Sequence, residues 1–244
     1  MSGCGFLGTY HFGSAACMLK HGTKVLQRTS RVAGASAGSL VASVLVLAPE
    51  KLQNCLKTWY ELSDELNSLK FGALTHGFSL HERLSSLIDQ FLPNDAHTVA
   101  SKRLHVSVTK NCDKTNALIS EFENRQKLLQ LLLASCYIPV YANGLNQSPP
   151  TIDGEEFVDG GISNNLPKFE ECNTITVSPF SGEADISPYD AKSRVNLKNV
   201  VRGAQALFSP KRETLERYYE MGYRDTMKFL LQQGWFEREE GTPV

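Results

Sequence analysis

One pentapeptide constrains this chain more than any other. Gly34-Ala35-Ser36-Ala37-Gly38 is a G-x-S-x-G stretch between a β-like Arg31-Val32-Ala33 and an apolar segment, residues 39–48, that ends near Pro49. The backbone must leave a strand and enter a helix within five residues, and such a turn leaves room only for small side chains around its centre. Positions 34, 35, 37 and 38 are all Gly or Ala. Ser36 then projects from the turn at the start of a helix, whose dipole favours a developing negative charge. A capping serine at a small-residue helix entry has the same spelling. The strand–turn–helix setting favours a nucleophile.

Around this turn the pattern alternates between strands and helices. Residues 13–21 suggest a short helix closed by Gly22, and residues 50–69 a longer amphipathic one. Ser79 is placed to cap a helix through Phe91 that Pro93 stops. Leu104, Val106 and Val108 alternate with His105 and Ser107 as in a strand, and residues 117–122 are expected to pair with it. Residues 128–136 are apolar all round and read as a buried helix. Residues 155–161, EEFVDGG, read as a strand entering a turn, and residues 175–177 as another short strand. Two helices, residues 195–208 and 212–233, close the chain. This order predicts an α/β fold with a largely parallel sheet.

The 244 residues suit one large α/β domain. With 25 Lys and Arg against 26 Asp and Glu, no strong field favours nucleic acid. Six scattered cysteines without a C-x-x-C pair read as reduced thiols of an intracellular protein. No apolar run approaches the roughly 18 residues of a membrane span, so any membrane contact is expected to be peripheral.

A second glycine pattern, Gly3-Cys4-Gly5-Phe6-Leu7-Gly8, spells G-x-G-x-x-G. A dinucleotide fingerprint follows a strand, and only Met1 and Ser2 precede Gly3 here. Residues 8–14 nearly spell a phosphate loop but lack its lysine, and the His81-Glu82 pair meets Ser85 where a zinc motif needs histidine. No nucleotide, metal or other cofactor is expected.

A serine nucleophile needs a base. None of the six histidines lies beyond His105, where the usual Ser, acid, His order would place one. His76 and His97 sit in polar loops and His105 within a strand. A carboxylate acting directly is the alternative. Asp159 ends the apolar Phe157-Val158 and precedes Gly160 and Gly161, a favourable cleft position, although Asp-Gly by itself marks a turn.

Taken together and in this order, G-x-G-x-x-G, G-x-S-x-G and D-G-G resemble the patatin-like phospholipase family, and in particular short members of its adiponutrin-type branch. LLASCYIP at residues 132–139, VSPFSGEADISP at 177–188 and GYRDTMKFL at 222–230 extend the likeness to essentially the whole chain. The resemblance implies one patatin-like domain over residues 1–244, in three layers with a mostly parallel sheet between helices. It implies a Ser–Asp dyad without histidine: Ser36 as nucleophile and Asp159 as base. The backbone of Gly3, Cys4, Gly5, Phe6, Leu7 and Gly8 would form the oxyanion hole. Gly34, Ala35, Ala37 and Gly38 would form the nucleophile elbow, and Gly160 and Gly161 the D-G-G turn. The implied activity is hydrolysis of triacylglycerol, retinyl ester or phospholipid through an acyl-enzyme, or transfer of the acyl group. The contrasting expectation is a lipid-droplet or membrane-bound regulatory protein with a vestigial dyad. Leu7 stands where patatin itself has Arg or Lys, as in the adiponutrin-type branch. The strand that relatives carry before the first motif has almost no counterpart, through truncation or loss.

An Asp near its ordinary pKa of about 3.9 is a weak base, and covering the site with an acyl chain should raise that value. Residues 71–78 and 137–141 are the candidates for an apolar entrance, with ordinary core and loop packing as the favoured alternative. Arg194, Lys198 and Arg202, four residues apart on the expected helix, form either an ordinary solvated face, the favoured reading, or one that docks on an anionic lipid surface, with Leu197, Val201, Ala204 and Phe208 on another face. The expected site of action is the cytoplasm, on lipid droplets or membranes.

Overall fold

The computed structural model describes residues 1–139, 141, 148–189 and 196–238. A short 3-10 turn, Gly5–Leu7, runs directly into α1 (Gly8–His21), which is followed by α2 (Thr23–Arg28). β1 (Val32–Ala35) leads into α3 (Ala37–Leu47) and then α4 (Leu52–Ser68). Next come α5 (Leu80–Phe91), α6 (Ala96–Ala100), β2 (Leu104–Lys110), β3 (Asn116–Ile119) and α7 (Arg125–Ser135). β4 (Thr151–Ile152), β5 (Glu155–Asp159), α8 (Leu197–Leu207) and α9 (Arg212–Gln233) complete the order. The first helix starts at Gly8 rather than near residue 13, because the glycine motif is itself the helix entry. Ser79 caps α5 by accepting the Glu82 N–H at 3.1 Å.

The α/β class with a central sheet flanked by helices stands, but its strand directions are mixed. β1 pairs with β2 in parallel, while β3 and β5 pair with β2, and β4 with β5, antiparallel. Local turns impose this. β2 and β3 are joined by a short loop, and β4 and β5 by Asp153 and Gly154, both at positive φ as a two-residue hairpin requires. Alternation of strand and helix therefore overstated the parallel share. Ile175 to Val177 contributes an isolated parallel bridge, Val177 to Ile186, rather than a strand.

On the far edge of β1 the first two residues pair as a strand would. The Met1 ammonium donates to the Ala33 carbonyl at 2.7 Å, the Ala35 N–H to the Met1 carbonyl at 3.3 Å, and the Ser2 N–H to the Val177 carbonyl at 3.0 Å.

β2 is buried on both faces. Leu104, Val106 and Val108 enter the main apolar core with Leu40, Val41 and Val44 of α3 and Leu128, Leu131 and Leu132 of α7. The alternate residues Ser107 and Thr109 are buried too, and their hydroxyls hold Asn164 beyond β5 and Asp159 at its end. α9 lies along α1, fastened where the buried Tyr10 hydroxyl donates to Asp225 at 2.9 Å and Thr226 donates to Ser14 at 2.7 Å.

Candidate active site

The register of the sheet explains how two distant residues meet. β3 covers one edge of β2 from Val106 to Thr109. Both β1 and β5 must therefore use the other edge. β1 occupies it from Leu104 to Ser107, and β5 from Lys110 down to Val108. Running in opposite directions, they arrive end to end: Ala35 lies opposite Ser107 and Asp159 opposite Val108. The next residue after Ala35 is Ser36, so the carboxyl ends of both strands deliver their side chains to one point.

Ser36 has φ 50° and ψ −131°, a conformation rare outside glycine that costs roughly 1–3 kcal/mol. The surroundings enforce it. The Ser36 N–H donates to the Ser135 hydroxyl at 2.8 Å, which in turn donates to the Ser107 carbonyl at 2.7 Å. The Ser36 carbonyl accepts the Ser39 N–H at 2.8 Å. A Cβ on Gly34 would overlap the backbone of Gly38 and Ser39, and one on Gly38 the backbone of Met1 and Ser2. Ala35 and Ala37 are buried against the same turn. Ser135 carries no signal of this role in the sequence, although LLASCYIP contains it. Replacing it with Ala leaves a buried N–H without an acceptor, so Ser135→Ala is expected to lower stability by about 1–3 kcal/mol, read by denaturant unfolding.

Asp159 is held as firmly. Its N–H donates to the Tyr137 carbonyl at 2.8 Å, and its carbonyl accepts from Thr109 Oγ1 at 2.7 Å. Oδ1 accepts the Gly161 N–H at 2.7 Å. Gly160 lies so close to the Ser107 carbonyl that a Cβ would overlap it. Oδ2 is buried and has no hydrogen-bond partner among the described residues. The Ser36 hydroxyl faces this carboxyl and stabilises its charge without closing a bond to Oδ2. Burial pushes the Asp159 pKa up to about 6, against the smaller opposing effects of Ser36 and the Gly161 N–H. The carboxylate is thus a stronger base before any substrate covers it. Ser36 is 8% exposed and Asp159 5%.

Cys136 is equally silent in the sequence. Burial pushes its thiol pKa well above the ordinary value, and the nearby Asp159 raises it further against the smaller opposing effects of Ser36 and Ser39. The histidines lie elsewhere. His11 Nε2 contacts the Ser2 carbonyl at 2.8 Å, His105 packs edge-on to Phe169 and His81 edge-on to Tyr137. Among the described residues none bonds Ser36 or Asp159.

The glycine motif lies over this pair. A Cβ on Gly3 would stand 3.2 Å from the Ser36 Cβ and 2.6 Å from Asn165 Oδ1. The six expected donors reduce to three. Gly3 N–H is bonded to the Asn165 carbonyl, Leu7 N–H to the Cys4 carbonyl, and Gly8 N–H to the Gly5 carbonyl. Leu7 is fully buried as a core residue. Among the described residues no acceptor meets the N–H groups of Cys4, Gly5 and Phe6, nor that of Ala37 at the head of α3.

The two candidate entrance stretches part company. Tyr137 is buried against Val158, while Tyr141 and residues 71–74 line an apolar groove of about 630 Å³ with Phe6, Leu66, Leu69 and Phe208. The cationic stripe also fails. Arg202 is 4% exposed and bonded to Asn199 at 2.9 Å, because α8 turns its polar face inward. Arg194 lies outside the described residues.

The model of the patatin-like phospholipase family matches residues 1–169. Human patatin-like phospholipase domain-containing protein 4 is 44% identical over 246 residues, covering 96% of each chain. Rat patatin-like phospholipase domain-containing protein 2 is 40% identical over 96% of this chain and 50% of its own length. Mouse 1-acylglycerol-3-phosphate O-acyltransferase Pnpla3 is 32% identical over 96% of this chain and 58% of its own length. The chain thus matches nearly the whole of the first relative and little more than half of the other two. A strained serine turn, a carboxylate at a strand end and a glycine loop, in a sequence so matched, identify the chain as a member of the patatin-like phospholipase family.

Proposed function

We propose that this chain cleaves carboxylic esters of lipids through an acyl-enzyme on Ser36, with Asp159 as the base. The observation that carries this is the meeting of β1 and β5, which sets the Ser36 hydroxyl against a buried carboxyl whose Oδ2 is unpaired among the described residues.

In the proposed reaction Asp159 takes the Ser36 proton as Oγ bonds to the ester carbonyl carbon. The negative charge passes to the carbonyl oxygen, which meets the N–H groups of Cys4, Gly5, Phe6 and Ala37, unpaired among the described residues; one such donor is worth about 3–4 kcal/mol of barrier. The carbon–oxygen bond to the leaving alcohol then breaks, and Asp159 returns the proton to that alcohol. Water, deprotonated by Asp159, attacks the acyl-serine, the acyl–Oγ bond breaks to release the fatty acid, and Asp159 returns the proton to Ser36 Oγ. An alcohol acceptor in place of water gives acyl transfer, the activity named for the mouse relative. No step requires a cofactor. Long-chain esters such as triacylglycerol, retinyl ester or phospholipid are the proposed substrates, met at a lipid-droplet or membrane surface in the cytoplasm.

A fluorophosphonate probe tests the assignment, since it reacts only with an activated serine. The protein is expected to take up one probe at Ser36 and to lose labelling and lipid-ester cleavage with Ser36→Ala. Retained cleavage by Ser36→Ala would refute the nucleophile. A wild-type protein that neither labels nor cleaves any ester would favour the regulatory reading with a vestigial dyad.

A further inference from the structure

α8 is built inside out. Its inward face is polar and fully engaged. Asn199 accepts the Ser181 N–H at 3.0 Å and donates to the Ser181 carbonyl at 2.9 Å, Asn196 donates to the Ser181 hydroxyl at 3.0 Å, and Gln205 accepts from the Tyr218 hydroxyl at 2.7 Å. Arg202 lies buried within this network. The outward face carries Leu197, Val200, Val201, Ala204, Leu207 and, just past the end, Phe208. These positions follow helical spacing along one side. Leu197 is 79% exposed, Val200 65% and Phe208 64%. A helix stabilised by packing alone turns the opposite side inward, so this orientation needs another environment for the apolar stripe.

The stripe does not stand alone. Phe208 forms one wall of the apolar groove that also contains Phe71 and Leu74, both largely exposed, and whose floor includes Phe6 of the glycine motif. On its inner side Ala206 lies directly against Gly5, where a Cβ would overlap its carbonyl. An apolar surface thus runs from α8 to the loop over Ser36.

The charges on the helix itself have one sign. α8 contains no acidic residue, and Lys198, exposed on the helix, is joined at the margins by exposed Lys211 and Lys70, the latter over the Phe71 ring. Of the acidic groups at its margins, Asp64 is paired with Arg212 and Glu65 with Arg83 at 2.6 Å, while exposed Glu213 sits in the first turn of α9.

We infer that the outer face of α8, with Phe71, Leu74 and Phe208, is the surface by which this protein seats on a lipid layer, apolar side chains among the acyl chains and lysines at the headgroups. This deepens the proposed function and rests on it for the identity of the surface: the substrate lies in the layer, and the seated face adjoins the glycine loop. The lysines give a preference for anionic lipid that weakens with salt.

Flotation with vesicles of phosphatidylcholine, with and without phosphatidylserine, tests the inference. The Ser36→Ala chain serves as the parent, so binding is read apart from turnover. The parent is expected to float with both vesicles and more with phosphatidylserine. Val200→Glu with Val201→Glu should weaken vesicle binding about tenfold or more, since each valine otherwise leaves water. In the Ser36 background the same pair should lower activity on vesicle-borne ester while sparing a soluble short-chain ester. That last reading also shows that the variant folds. Unchanged flotation overturns the inference even if Ser36 proves to be the nucleophile. So does a wild-type dimer in light scattering that the two glutamates dissociate, because a second copy would then own this face.

Discussion

Asp159→Asn is expected to abolish ester cleavage and, at the same time, to make the protein more stable. Loss of the base should lower kcat/KM about 10³-fold or more. The gain in stability follows from the same carboxyl. Its ordinary pKa is 3.8 and burial raises it to about 6, so the folded chain holds a proton more tightly than the unfolded one. Stability from this group is therefore fully present below about 3.8 and lost as pH rises through about 6. Above that, keeping the charge buried costs about 3 kcal/mol. The substituted amide would carry no charge and would keep the acceptor for the Gly161 N–H. At pH 8 the variant should gain up to about 3 kcal/mol, roughly 6–12 °C in Tm for a chain of this size, and near pH 4 the gain should vanish. Wild-type kcat/KM should fall below a pH of about 6 as the carboxylate is protonated. Thermal melts at both pH values and a pH–rate profile check this. Equal melting of the two proteins at pH 8 would show that the carboxylate is not strained, and full activity would remove it from the chemistry.

Gly5→Ala carries the second large effect. Gly5 has φ +49°, where an L side chain pays about 1–2 kcal/mol, and its Cβ would meet the Ala206 carbonyl of α8, a backbone atom that cannot rotate away. Either the glycine loop or the end of α8 must move. A loop displaced by about 1 Å is expected to reduce kcat about 10²-fold, alongside a loss of stability. Gly77→Ala is the matched control, with φ +82° but nothing within 4 Å of its Cβ. It should lose about 1 kcal/mol through strain and no activity. Equal kinetics for Gly5→Ala and wild type would mean that the loop's position over Ser36 does not matter to the reaction.

The local turns were legible in the sequence because their causes are local. Gly34, Ala35, Ala37 and Gly38 announce a turn too tight for a side chain, and the structure puts Ser36 there at positive φ. The Ser79 cap was readable for the same reason, as was a strand beside β2, expected at residues 117–122 and found at 116–119. Strand directions were less so, since the two-residue turn of Asp153 and Gly154 sets the direction of β5 whatever the alternation of elements suggests. α8 misled a helical-wheel argument outright. Spacing shows which residues share a side and not which side faces in, and here Ser181 and Tyr218, distant in sequence, draw the polar side inward.

From its residues alone the chain determined the family likeness, the strained serine turn and the absence of a histidine where a triad would need one, all properties of short contiguous stretches. Tertiary structure alone decided that β1 and β5 share one edge of β2 and end against each other, which brings Ser36 to Asp159 from half a chain length away. It also decided which loop amides lack an acceptor among the described residues, how far burial raises the carboxyl pKa, and which face of α8 meets the surroundings. Each of these depends on groups far apart along the chain, whose proximity and desolvation exist only once the sheet has formed.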